Sequence, residues 1–137
     1  MGFREKIENN LIHPSLNQGD ETIGYFNAVL GKDSLKMQLL GKWSLFSIKR
    51  YAIILSKKGL YLVEWKGSQK FVAKRYYDWK EVKINKFQVK KGWGQGGFIL
   101  GISTSDIDVN FDGIYKDEIK DEFIMDKVCS DFIESKM

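Results

Sequence analysis

The sequence predicts a mainly β domain with a C-terminal α-helix, preceded by a short N-terminal helix. Three observations predict it. Short runs of β-branched and aromatic residues, punctuated by Gly, Ser and Asn/Asp turns, fill residues 22–111. The last stretch changes to helical spacing. The charge divides along nearly the same line: residues 32–91 carry a net +12, residues 92–137 a net −6, within a total of +4. A basic strand-rich body closed by an acidic helix suits a binding domain for an anionic partner better than an enzyme.

The totals agree. With 137 residues, 43% apolar and 29% charged, the chain is long enough to bury one core and far from the composition of disorder. The single Cys129 gives no internal disulfide. The segment MGFREKIENNLIHP lacks the apolar run of a signal peptide, and no stretch reads as a transmembrane helix. A cytoplasmic protein, peripheral at the inner membrane face, is the expectation.

The elements follow in order. Phe3, Ile7 and Leu11 recur every four residues, a one-sided helix that Pro14 is expected to stop. Residues 15–21 carry turn chemistry, so residues 1–20 read as helix and linker and 21–137 as the main domain. TIGYFNAVL (22–30) is a first strand, with a turn at Gly31–Ser34. Residues 35–42 fit a helical turn and a strand entry equally well. RYAIILSKKGLYLVEW (50–65) has the layout of a hairpin, with Gly59 expected at a positive-φ turn position. QKFVAKRYY (69–77) continues the meander. In VKINKFQVKKG (82–92) the apolar parity changes between Ile84 and Phe87, which predicts a β-bulge near Asn85-Lys86.

After the GWGQGG turn, FILGIS (98–103) and IDVNF (107–111) are strands, the second with Ile107, Val109 and Phe111 inward. Asp112-Gly113 is expected to turn the chain into a helix over 115–136. Its apolar face would be Ile119, Phe123, Ile124, Val128, Phe132 and Ile133.

This order of about seven meandering strands and a closing helix, with the hairpin 50–65, Trp79 before the next strand and the helix 115–136, resembles the bacterial pleckstrin-homology-like (PH-like and GRAM-like) domains. The resemblance covers residues 22–136 and implies an open barrel of antiparallel strands capped by one helix. The phosphoinositide-binding members of that superfamily carry an Arg-containing cluster on the first two strands and their loop. Here that loop offers only Lys32, Lys36 and Lys42, so the resemblance implies diffuse surface attraction rather than a shaped phosphate pocket. Some bacterial proteins resembling this fold act as immunity or envelope-stress factors at the inner membrane face, and others self-assemble.

Asp108-x-Asn110-x-Asp112-Gly113 matches the opening of an EF-hand loop, but the twelfth position is Ile119 rather than a bidentate Glu. Gly92–Gly97 runs into a strand, not a helix, and so reads as a hairpin turn rather than a phosphate cradle. His13 and Cys129 have no catalytic partners in sequence, and two such residues are too few for a zinc site. No catalytic residue, cofactor or metal is expected.

Aromatics such as Trp65, Tyr76 and Trp79 interleave with Lys66, Lys74, Arg75 and Lys80, as on single-strand nucleic-acid platforms, yet Lys outnumbers Arg 19 to 3. The expected function is a non-enzymatic adaptor docking on an anionic lipid surface or a membrane protein. Lys57 and Lys58 in the hairpin turn, and Lys90 and Lys91 beside Trp93, are the candidate partner-binding residues. A protein-interaction or self-assembly module is the alternative, and single-stranded nucleic-acid binding the second.

Overall fold

A computed structural model describes residues 3–30, 50–66, 70–90, 96–117 and 123–137. The expected segments 31–49, 67–69 and 91–95 lie outside the described residues. Seven strands form one antiparallel sheet: β1 (Thr22–Leu30), β2 (Arg50–Ser56), β3 (Gly59–Lys66), β4 (Lys70–Asp78), β5 (Lys83–Lys90), β6 (Gly96–Ser103) and β7 (Asp108–Tyr115). Their order is β4-β3-β2-β1-β7-β6-β5. Tyr77 at the end of β4 and Ile84 on β5 share one apolar core, so the two edges of the sheet curl toward each other into an open barrel.

Strands β1 to β3 are buried on both faces, which is why AIIL and LYLV read as continuous apolar runs. Phe26, Ile53, Leu55, Leu60 and Leu62 face the barrel interior, where they meet Phe98, Leu100, Ile102, Val109 and Phe111. Tyr25, Ala52, Ile54, Tyr61, Val63 and Trp65 face outward and are covered by Ile7, Leu11 and Ile12 of the N-terminal segment. That segment comprises α1 (Phe3–Ile7), a π turn (Glu8–Ile12) and α2 (His13–Ser15). The helix therefore runs through Pro14 instead of stopping before it. Pro14 lies in the last turn of this run, directly after the π turn, and the chain becomes extended only at Leu16.

Three expectations about the second half need correction. Asp112-Gly113 is no turn: both residues lie within β7, opposite Ile99 and Phe98. Gly113 is there for close packing, since a Cβ would strike the Phe98 ring and the Asn27 carbonyl. The final helix, α3, is Lys127–Ser135 rather than 115–136. It starts where the Asp126 carboxylate accepts the Cys129 N–H at 2.9 Å, an N-cap.

Residues before the cap make strand-like bonds instead. Among the described residues β1 pairs with β7 through Val29 and Leu30. Beyond that point Asn27 N–H donates to the Phe123 carbonyl, while Met125 bridges to β7 beside Tyr115. The stretch 123–125 thus fills the gap between two diverging strands. Phe123 consequently belongs to the outer cluster, against Tyr25 and Trp65, and not to a helix face. Val128, expected inward, is 59% exposed; Cys129 and Ile133 are the helix residues that enter the barrel core. Ile119 lies outside the described residues.

Gly59 also differs from expectation. It is a strand residue, and its requirement is space: a Cβ there would collide with the Tyr77 carbonyl and the Tyr76 ring. Among the described residues the positive-φ glycine is Gly19, in the linker. The predicted bulge on β5 is present: Ile84 faces Ile102 and Lys86 faces Gly101, leaving Asn85 as the extra residue.

Candidate partner-binding surface

The sheet order leaves β4 and β5 as its two edges. Both edges carry the features that discourage pairing with another strand. On β4, Ala73 faces Glu64 and Phe71 faces Trp65, so Val72 is an extra residue and the strand is bulged. On β5 the bulge at Asn85 sits among Lys83, Lys86 and Lys90, all exposed.

The same two strands concentrate exposed positive charge. Residues 70–90 hold Lys70, Lys74, Arg75, Lys80, Lys83, Lys86 and Lys90 against Asp78 and Glu81, and every one of these side chains is exposed. Not all of that charge faces solvent alone. The Lys74 ammonium donates to the Ser15 carbonyl at 2.9 Å and to Asn17 Oδ1 at 3.1 Å. Arg75 lies 3.6 Å from the Asp106 carboxylate, an exposed pair of little energetic weight.

The sequence-predicted residues fare unevenly. Lys57 is exposed in the β2–β3 turn, where Glu21 meets its ammonium at 2.7 Å; that hydrogen bond and charge hold its pKa above the ordinary value. Lys58 donates its backbone N–H to Asp20 at 3.2 Å. Glu21 therefore counters the Lys57 charge, while Asp20 holds the Lys58 backbone. Lys90 is exposed at the end of β5; Lys91 and Trp93 lie outside the described residues. Phe71 and Val72 were not singled out from the sequence, yet they are 48% and 41% exposed. Alternation in FVAKRYY places such residues on a strand but cannot reveal a bulge that turns Phe71 to the outer side.

The linker acids belong to a separate polar knot. Asp20 Oδ2 accepts from the hydroxyls of Ser56 and Tyr61, each at 2.7 Å, and Oδ1 accepts the Glu21 N–H at 2.8 Å. Tyr61 OH also accepts the Asn17 N–H at 3.0 Å. Burial works to raise the Asp20 pKa, but the donors from Ser56, Tyr61, Glu21 and Lys58 outweigh it and hold the carboxyl below its ordinary 3.8. The Tyr61 hydroxyl is pushed up to about 12, by burial first and with the Asp20 carboxylate adding to it. The knot fastens the linker to the β2–β3 hairpin.

The aromatics read as a stacking platform are turned inward. Tyr61, Trp65 and Tyr77 are buried, and Tyr51, Tyr76 and Trp79 are partly buried against the two cores. Trp79 packs on Phe132 at 5.3 Å between ring centroids and donates its indole N–H to the Ser56 carbonyl. Asp108, Asn110 and Asp112 lie along a strand rather than around a loop, with Asp108 accepting from Ser103. Among the described residues no cluster of three or more His, Cys, Asp or Glu side chains is arranged to hold a metal. None of the described helices is long and apolar enough to cross a membrane.

Comparison with models of known protein families gave no match. Comparison with curated proteins gave none either, and no solved structure matched. The functional reading rests on the residues themselves.

Proposed function

We propose that this chain is a non-enzymatic binding domain of pleckstrin-homology-like architecture that docks on an anionic membrane surface through the cations of β4 and β5. The architecture is supported by the element order: a seven-stranded antiparallel meander followed by a helix whose Cys129 and Ile133 enter the barrel core. The observation that carries the docking reading is the run from Lys70 to Lys90, with seven exposed cations against two acids on β4, β5 and the turn between them. Each Lys near an anionic leaflet contributes about 1 kcal/mol at most, so several must act together. Lysines on a bilayer need no shaped pocket, which fits a chain with 19 Lys and 3 Arg.

A non-enzymatic role is supported by the placement of the reactive groups. His13 is exposed at the start of α2, and Cys129 is 2% exposed against the β1 backbone. The bulges and lysines on both edges weigh against strand addition as the mode of partner binding. Co-sedimentation with vesicles of phosphatidylcholine alone and of phosphatidylcholine with phosphatidylserine tests the reading. Binding only to the anionic vesicles is expected; equal partition onto both refutes it.

A further inference from the structure

The β3–β4 hairpin holds a combination that the fold itself does not explain. Lys66 and Lys70 stand directly opposite each other in the register of β3 and β4. Like charges facing across a strand pair are destabilising, so this pair works against the hairpin it closes. Immediately beyond it, the bulge at Val72 breaks the strand's alternation. Phe71 is thereby set on the side of Trp65, and both apolar side chains stand in solvent, Phe71 at 48% and Val72 at 41%. Residues 66–75 contain Lys66, Lys70, Lys74 and Arg75 and no acid.

Resting on the docking reading above, we infer that Phe71 and Val72, near the start of β4, insert into the bilayer. Phe71 and Val72 enter the headgroup–acyl boundary, and Lys66 and Lys70 remain among anionic headgroups. An anionic lipid surface answers both anomalies at once. It supplies countercharge at the Lys66–Lys70 pair, and an apolar layer for two side chains that stand in solvent. A bulged, lysine-bearing edge is a poor template for a partner strand, so a bilayer fits this patch better than a protein edge.

The insertion contributes a part of the binding that salt does not screen, because apolar transfer is insensitive to the Debye length. The full chain and its Phe71→Ser/Val72→Ser variant are compared on phosphatidylserine-containing vesicles at low and high salt. Both side chains are exposed, so the variant is expected to keep its melting temperature. It should bind about tenfold more weakly, in line with the apolar area withdrawn from water, and lose the salt-resistant fraction.

A second probe places an environment-sensitive nitrobenzoxadiazole label at Phe71→Cys, Cys129 being 2% exposed and shielded from the reagent. Blue-shifted emission on vesicles is expected there. The same label at Glu134→Cys should show no shift; its helix packs through Phe132 on Trp79, at the other end of β4. Wild-type binding with an unaffected double variant and no blue shift overturns the insertion and leaves the electrostatic reading standing. Failure of the wild type to bind anionic vesicles at low salt overturns both.

Discussion

The Tyr61 hydroxyl donates to the Asp20 carboxylate at 2.7 Å, joining a linker acid to a tyrosine whose side chain is wholly buried under the N-terminal segment. The pair makes the N-terminal helices part of the domain's outer core. They cover apolar residues of β1, β2 and β3 that would otherwise lie in water. Lys74 reinforces the fastening, with its ammonium 5.8 Å from the Tyr61 ring centroid and bonded to the Ser15 carbonyl.

Replacing Asp20 with Ala removes the acceptor of a buried hydroxyl, and the expected loss is about 1–2 kcal/mol of stability. Denaturant unfolding measures it. The pH dependence has a definite sign. The Asp20 pKa is lowered in the folded state, so its contribution is complete above the ordinary 3.8 and is lost as pH falls through the depressed value. Wild type should therefore show a steeper acid limb than Asp20→Asn; identical acid limbs would contradict the knot.

Gly24 and Cys129 test how the closing helix seats. A Cβ at Gly24 would lie 2.7 Å from the Cys129 sulfur, which a helix backbone holds in place. Gly24→Ala should destabilise by about 1–3 kcal/mol through overpacking. Cys129→Ala in the same chain should recover part of that loss, because the sulfur is the obstacle. A strictly additive double mutant would place the strain elsewhere.

Phe123 and Val128 were both expected on one helix face, and the structure separates them. Phe123→Ala should cost about 3–5 kcal/mol, since the ring packs on Tyr25 and Trp65. Val128→Ala should stay within about 0.5 kcal/mol, as expected for an exposed helix residue. Thermal melts of the two variants distinguish the arrangements directly.

That separation shows where the sequence was readable and where it was not. The hairpin 50–65, the first strand and the bulge at Asn85 were legible, because β-branched runs and a parity change report local geometry. The boundary of the final helix was not. Phe123, Ile124 and Met125 are all buried, and a segment filling the gap between two strands shows apolar residues at spacings that mimic a helix. Gly59 and Gly113 misled for the same reason, since their need is room for a neighbouring strand rather than a turn.

Of the candidate surface, the charge of the β4–β5 region was legible and its organisation was not. The acid that counters Lys57 is Glu21, some 36 residues upstream, a proximity that only folding creates. The exposure of Phe71 depends on a bulge that sequence alternation does not mark.

The most direct measurement is a salt titration of vesicle binding for the wild-type chain and a Lys83→Glu/Lys86→Glu/Lys90→Glu variant of β5. These three side chains are exposed, so the variant should fold. The account predicts that the wild type binds phosphatidylserine-containing vesicles at low salt and weakens toward physiological ionic strength, where charges are screened over about 8 Å. It predicts that the variant binds at least tenfold more weakly at low salt, since each reversed charge removes up to roughly 1 kcal/mol of attraction and adds repulsion. Indistinguishable affinities of the two proteins for anionic vesicles would contradict it.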